Sequence, residues 1–139
     1  MKKIANTRFG EIEYDPDKTI CFPAGLVGFE SVREFIVIPN KKEGPLFWIQ
    51  SVEDPLVAFV LTEPANFFQD YQVSPDNNDR LKLGMAEGDD CFVLAVVTVP
   101  PNQPITLNLA APIFFAPRTN RAIQVILDKS PYKTRQPLP

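Results

Sequence analysis

Fifteen prolines spread along 139 residues limit the architecture of this chain more than any other feature. A proline inside a helix removes a backbone donor and clashes with the preceding turn, so no long helix fits between them. The prolines instead bracket short apolar runs at intervals of about ten residues, the spacing of a β-sandwich or barrel. The runs that read as strands are 9–14, 19–22, 34–38, 46–52, 57–62, 92–99, 105–115 and 122–127. In "GEIEY" the alternation turns Ile12 inward and Glu11 and Glu13 outward. "CFVLAVVTV" does not alternate, which predicts a strand covered on both faces or one bending across a barrel. "IFFAPRTNRAIQVIL" predicts a hairpin joined through "APRTNR".

Two segments carry helix signals. "TEPANFFQDY" offers Thr62 or Glu63 as cap and Pro64 at the first helical position, with Phe67, Phe68 and Tyr71 on one apolar face. "SPDNNDRLKLGM" offers Ser74 as cap, Pro75 at the first position, acids in the first turn and Gly84 as the stop. The expected fold is all-β (mainly β), a single antiparallel β-barrel-like or sandwich domain over 1–139 with one or two short helices. Its basic, Pro-bounded tail at 130–139 is expected to be loosely held.

With 45% hydrophobic residues the chain can bury a sizeable core. No apolar run reaches the roughly 18 residues of a membrane helix, and no apolar stretch follows Lys2 and Lys3 as in a secretory signal. The expected location is the cytoplasm. There is no histidine, which removes the commonest general base and every Ser-His or Cys-His nucleophile system. Cys21 and Cys91 lie in apolar runs outside any CxxC, which predicts buried free thiols and no transition-metal site. The carboxylate pairs Glu11/Glu13, Glu53/Asp54 and Asp89/Asp90 sit in no apolar setting that would tune a pKa. The expectation is a protein without catalytic residues, metal, cofactor or small-molecule substrate.

Charge is uneven along the chain. From Glu43 to Asp90 ten acids face only Arg80 and Lys82, a balance of −8, whereas from Pro101 onward five bases face Asp128, a balance of +4. An acidic face repels phosphate backbones and attracts basic proteins, which argues against direct nucleic-acid binding.

"AGLVGFE" fits neither the dinucleotide nor the Walker phosphate loop. It reads as a tight turn in which Gly25 and Gly28 supply backbone angles other residues avoid, followed by one helical turn over "FESVREF". Phe29 is either a core plug or a binding anchor. Asn108 stands in a long apolar run, where a buried amide needs partners; it is expected to serve the neighbouring strand where Pro112 lacks an N–H. Arg118, Asn120, Arg121 and Gln124 gather near one end of the predicted hairpin.

Three stretches, "TICFPAGLVGFE", "LFWIQSVEDPLVAFVLTEPANFFQDY" and "LNLAAPIFFAPRTNRAIQVIL", closed by "SPYKTRQPLP", together resemble the bacterial flagellar assembly factor FliW family. The resemblance implies a cytoplasmic, non-enzymatic β-barrel-like protein. Such proteins bind flagellin before export and also bind the RNA-binding translational repressor CsrA, so that factor freed of flagellin holds the repressor and flagellin translation resumes. Partner binding is assigned to Gly28, Phe29, Glu53, Asp54, Asp70, Asn120 and Arg121, and support of the fold to Gly25, Asn108 and Pro112. Two rival readings are a small β-barrel nucleic-acid-binding module, which needs a basic groove, and an apolar-ligand carrier, which needs a cavity lined by phenylalanines.

Overall fold

The computed structural model describes residues 1–39 and 44–139. β1 (Lys2–Thr7) and β2 (Gly10–Tyr14) form a separate two-stranded antiparallel hairpin. The remaining strands are β3 (Ile20–Cys21), β4 (Glu34–Pro39), β5 (Phe47–Ser51), β6 (Ala58–Thr62), β7 (Phe92–Thr98), β8 (Thr106–Leu107), β9 (Ile113–Ala116), β10 (Arg121–Gln124) and β11 (Gln136–Pro137). Seven of them close a barrel in the order β3-β4-β5-β6-β7-β9-β10, with β10 returning to β3. Every neighbour in the ring is antiparallel except β3 and β10, which are parallel. β8 and β11 extend the sheet from the second half of β7.

The lack of alternation in β7 has a direct cause. Its first half pairs with β9 at Phe92, Val93 and Leu94, and its second half pairs with β8 at Val97 and Thr98. The strand changes partner along this edge, and its two faces are covered by different clusters, Leu94 and Val96 on one and Ala95 and Val97 on the other. Inside, Phe22, Phe35, Ile49, Leu61 and Ile113 are each at most 2% exposed and fill the ring. Outside β7 a second cluster joins Ala95, Val97 and Leu107 to Tyr71 and to Tyr132 and Leu138 near the C-terminus. Beneath the β9–β10 hairpin a third contains Leu83, Phe114, Ala116 and Ile123.

Several local expectations change. Pro64–Asn66 is a single 3-10 turn rather than a helix, because the chain leaves helical geometry at Phe67 and turns Phe67 and Phe68 onto the cluster outside β7. No helix forms over "FESVREF": Val32 N donates to Phe29 O at 3.1 Å and closes a single tight turn, after which Phe22 N donates to Arg33 O at 2.7 Å and draws the chain into extended pairing. The helix α1 (Asn77–Lys82) does form, but its cap is Asp76 and not Ser74. Asp76 and Asp79 make reciprocal side-chain bonds to each other's backbone N–H, at 2.8 and 3.1 Å. The run 105–115 divides into β8 and β9 at Asn108. Residues 130–139 run beside β8: Leu109 N donates to Lys133 O at 3.0 Å, and the Tyr132 and Tyr71 rings meet edge-to-face at 4.7 Å. Cys21 and Cys91 are free and half-buried. Among the described residues no helix is long and apolar enough to cross a membrane.

Candidate partner-binding surface at one mouth of the barrel

After β3 the chain must reverse to begin β4, and two glycines make this possible. Gly25 has φ +68°, and a Cβ built there would strike the Phe29 carbonyl oxygen and lie 2.6 Å from the Glu30 Cα. Leu26, buried, anchors the turn, and Phe29 N closes it by donating to Leu26 O at 2.7 Å. Gly28 sits at the tip with φ +84° and open space around it. Val27 N donates to Gln124 Oε1 at 2.9 Å, tying the tip to β10. Phe29 is 40% exposed yet meets Phe59 edge-on at 5.1 Å, so the ring is part plug and part surface.

The β5–β6 turn lies against this one. Fully buried Gln50 directs its Nε2 at the carbonyls of Ser51, Pro55 and Val57, at 3.0 to 3.2 Å. Ser51 Oγ accepts from the amides of Glu53 and Asp54 at 3.0 and 2.9 Å, and Asp54 Oδ1 accepts from Leu56 N at 3.0 Å. Glu53 Oε1 accepts from Arg33 N at 2.8 Å and Glu34 N at 2.6 Å, which staples the turn to the start of β4. Val27 and Leu56 stand out from these fixed tips, at 56% and 88% exposure. The mouth thus carries Val27, Phe29 and Leu56 among Glu30, Glu34, Glu53 and Asp54, with Arg33 as the base in the same two segments.

Gly28, Phe29, Glu53 and Asp54 are therefore brought together, with Gly25 beneath them. Asn120 and Arg121 lie at the opposite mouth. Asn120 takes the left-handed position of the β9–β10 turn, with φ 55°, and its carbonyl accepts from Cys21 N at 2.8 Å. Arg121 Nη1 reaches Lys82 O at 3.5 Å. Asp70 is exposed, on the segment whose Phe67, Phe68 and Tyr71 pack in the cluster outside β7. Asn108 does not serve the gap beside Pro112: its Oδ1 accepts from the amides of Ala110 and Ala111 at 3.2 and 3.1 Å. That side-chain turn competes with the ladder and ends β8. Pro112, buried, accepts from Val125 N at 2.9 Å through its carbonyl. Sequence reasoning missed Val27 and Leu56; an apolar residue inside the turn signals "GLVG" and "EDPL" was the available sign.

At the Asn120 mouth, Arg118 Nε and Nη2 donate to Asp89 Oδ2 and Gly84 O, both at 2.7 Å. The Ala86 amide and the Arg118 guanidinium hold the Asp89 carboxyl below the ordinary carboxylate range. A depressed native pKa contributes stability above the unfolded value of about 3.9 that is lost as pH falls through the native one. Asp89→Asn is therefore expected to melt lower than wild type at pH 7, with the gap closing below about pH 4. Thermal melts of both chains from pH 7 to 2.5 measure this, and a gap that stays constant would contradict it. A cleft of about 440 Å³ lined by Ile20, Phe47, Phe92, Leu94 and Phe115 also opens here. Among the described residues no group of three or more carboxylates or thiols is placed to hold a metal.

The fold is thus a closed seven-stranded β-barrel with a filled interior, whose loop tips are pinned at its mouths. The model of the FliW protein family matches residues 3–138, and the chain belongs to that family. It is 66% identical to a flagellar assembly factor FliW of Syntrophotalea carbinolica over 139 residues, covering 100% of this chain and 99% of that protein. It is 61% identical to a flagellar assembly factor FliW 2 of Desulfotalea psychrophila over 133 residues, 96% of this chain and 88% of that protein. A crystal structure of a flagellar assembly factor FliW superposes with a TM-score of 0.87 at 31% identity, covering 98% of this chain and 96% of that one.

Proposed function

We propose that this flagellar assembly factor works by binding alone, in the cytoplasm: it holds flagellin before export and, when flagellin is scarce, binds a CsrA-type translational repressor and relieves its block on flagellin synthesis. The observation that carries the reading is the pinned mouth, where Val27, Phe29 and Leu56 are exposed amid four carboxylates. Apolar anchors on a rigid support lose little entropy on docking. The surrounding acids favour a basic partner and repel RNA phosphate from a repressor docked there, an effect that salt screens. Asp70 on the flank and Asn120 and Arg121 at the far mouth would contact only a partner that reaches beyond this surface.

Calorimetric titration against flagellin and the CsrA homologue of the same organism, singly and in competition, tests the reading. Saturable binding to both, each weakening the other, is expected. Leu56→Asp and Val27→Asp remove exposed side chains and should leave the melting temperature within about 1 °C while weakening repressor binding about tenfold or more, the 1.4 kcal/mol of a single anchor. Glu53 is a poor probe, since its carboxylate holds the Arg33 and Glu34 amides. Unchanged affinity in both variants would remove the mouth from the interface, and binding to neither protein would overturn the whole reading.

A further inference from the structure

The hairpin β1–β2 turns at Arg8 and Phe9, and both residues lie on Trp48 of β5. The Arg8 guanidinium carbon is 4.1 Å from the indole centroid, and Phe9 meets the same ring edge-on with centroids 5.4 Å apart. The guanidinium rests over the indole face, a cation–π contact that leaves N–H donors to spare. Among the described residues no hydrogen bond or ion pair takes up these donors.

Beside Trp48 the outer face of the barrel is open. The β6–β7 ladder runs from Val60–Val97 to Thr62–Ala95 and records no pair beyond Val60, so Ala58 and Phe59 lie past its end, toward Thr98 and Val99. A groove of about 590 Å³ lies there, bounded by Trp48, Arg8, Ala58, Val60, Val97 and Val99. No acid lines it, although the chain carries 17 acids against 14 bases. Its polarity is thus opposite to that of the acidic mouth.

We propose that this groove binds an extended peptide segment of a protein partner in which carboxylates alternate with aliphatic side chains. A carboxylate would sit on the free edge of Arg8, where a planar fork can make two parallel charge-assisted hydrogen bonds. The aliphatic side chains would cover Val60 and the exposed Val99, and the segment's backbone would run beside the unladdered end of β6. A lone arginine in an acidic chain suits one carboxylate rather than a run of phosphates, whose binding needs several cations. The inference goes beyond the mouth-docking reading and does not depend on it.

Trp48 is the one tryptophan in the chain, so its emission reports on the groove. The probe is a capped hexapeptide alternating valine and aspartate, and the control carries lysine for aspartate. A saturable shift in emission is expected with the acidic peptide, together with changes at the amides of Ala58, Val60 and Val97 in proton–nitrogen spectra. The control and Arg8→Ala should each bind about tenfold more weakly. Arg8→Lys, which keeps the charge and loses the fork, should fall between. No saturation by the acidic peptide up to about 2 mM would overturn the proposal, as would an equal response to both peptides or unchanged binding in Arg8→Ala. Calorimetry with flagellin or the repressor is a separate experiment, so either reading can fail alone.

Discussion

Phe35→Ala is expected to remove about 3–5 kcal/mol of stability and to lower the melting midpoint by roughly 10–15 °C. Phe35 is 0% exposed and stands at the centre of the ring core, edge-on to Phe22 at 5.3 Å and tilted against Phe59 at 6.1 Å. Truncation removes both contacts and leaves a cavity walled by β-strands, which cannot collapse as a loop can. Urea denaturation of wild type, Phe35→Ala and Val37→Ala measures the effect. Val37 is two residues on and 50% exposed, so its truncation should stay within about 0.5 kcal/mol. A Phe35→Ala loss below about 1.5 kcal/mol would mean that the barrel interior is not packed around this ring.

The second large effect is expected at Gly25. Alanine there has to adopt a left-handed backbone, at about 1–2 kcal/mol, and its Cβ meets backbone atoms of Phe29 and Glu30. Backbone cannot rotate out of the way as a side-chain end can, so the 26–30 turn must move. The expected total is about 2–4 kcal/mol, with Phe29 displaced from Phe59. Gly28→Ala is the control: its φ is +84°, but nothing lies within 4 Å of the added Cβ, so only the backbone strain remains. Denaturation of both variants, with aromatic proton shifts for Phe59, separates the two terms. Equal losses would show that close approach at Gly25 contributes nothing.

Both predictions rest on placements that the sequence disclosed unevenly. The ring strands were legible because short β-branched and aromatic runs between prolines have few other ways to bury themselves, and β7 disclosed even its two-sided cover. β1 was not legible: "KKIANT" has one large apolar residue, and its pairing with β2 is local and weakly patterned. The 105–115 run hid its break because Asn108 ends β8 with a side-chain turn rather than a proline or glycine. For the surface, "GLVGF" and "SVEDP" could be singled out, yet nothing in either stretch indicated that they touch. Their link is the Glu53 carboxylate on amides about twenty residues upstream, a contact that leaves no pattern in the sequence. Glu53, assigned to partner binding from the sequence, holds the fold as a staple. The Arg8–Trp48 stack joins residues forty positions apart and was equally invisible.

The parallel joint between β3 and β10 sets the order in which this molecule can come into being. It pairs Cys21 with Arg121, so the ring stays open until a hundred further residues have been made. At ribosomal speeds of 5–20 residues per second that interval is roughly 5–20 s. Until β8 and β9 emerge, β3 to β7 can exist only as a curved sheet with two bare edges and an uncovered aromatic interior, open to pairing with other chains. β8 and β9 cover the edge of β7 first, and emergence of "RAIQ" then joins β9 to β3 and closes the ring. A ribosome stalled before that point would release an aggregation-prone sheet, and one stalled shortly after it a nearly complete barrel.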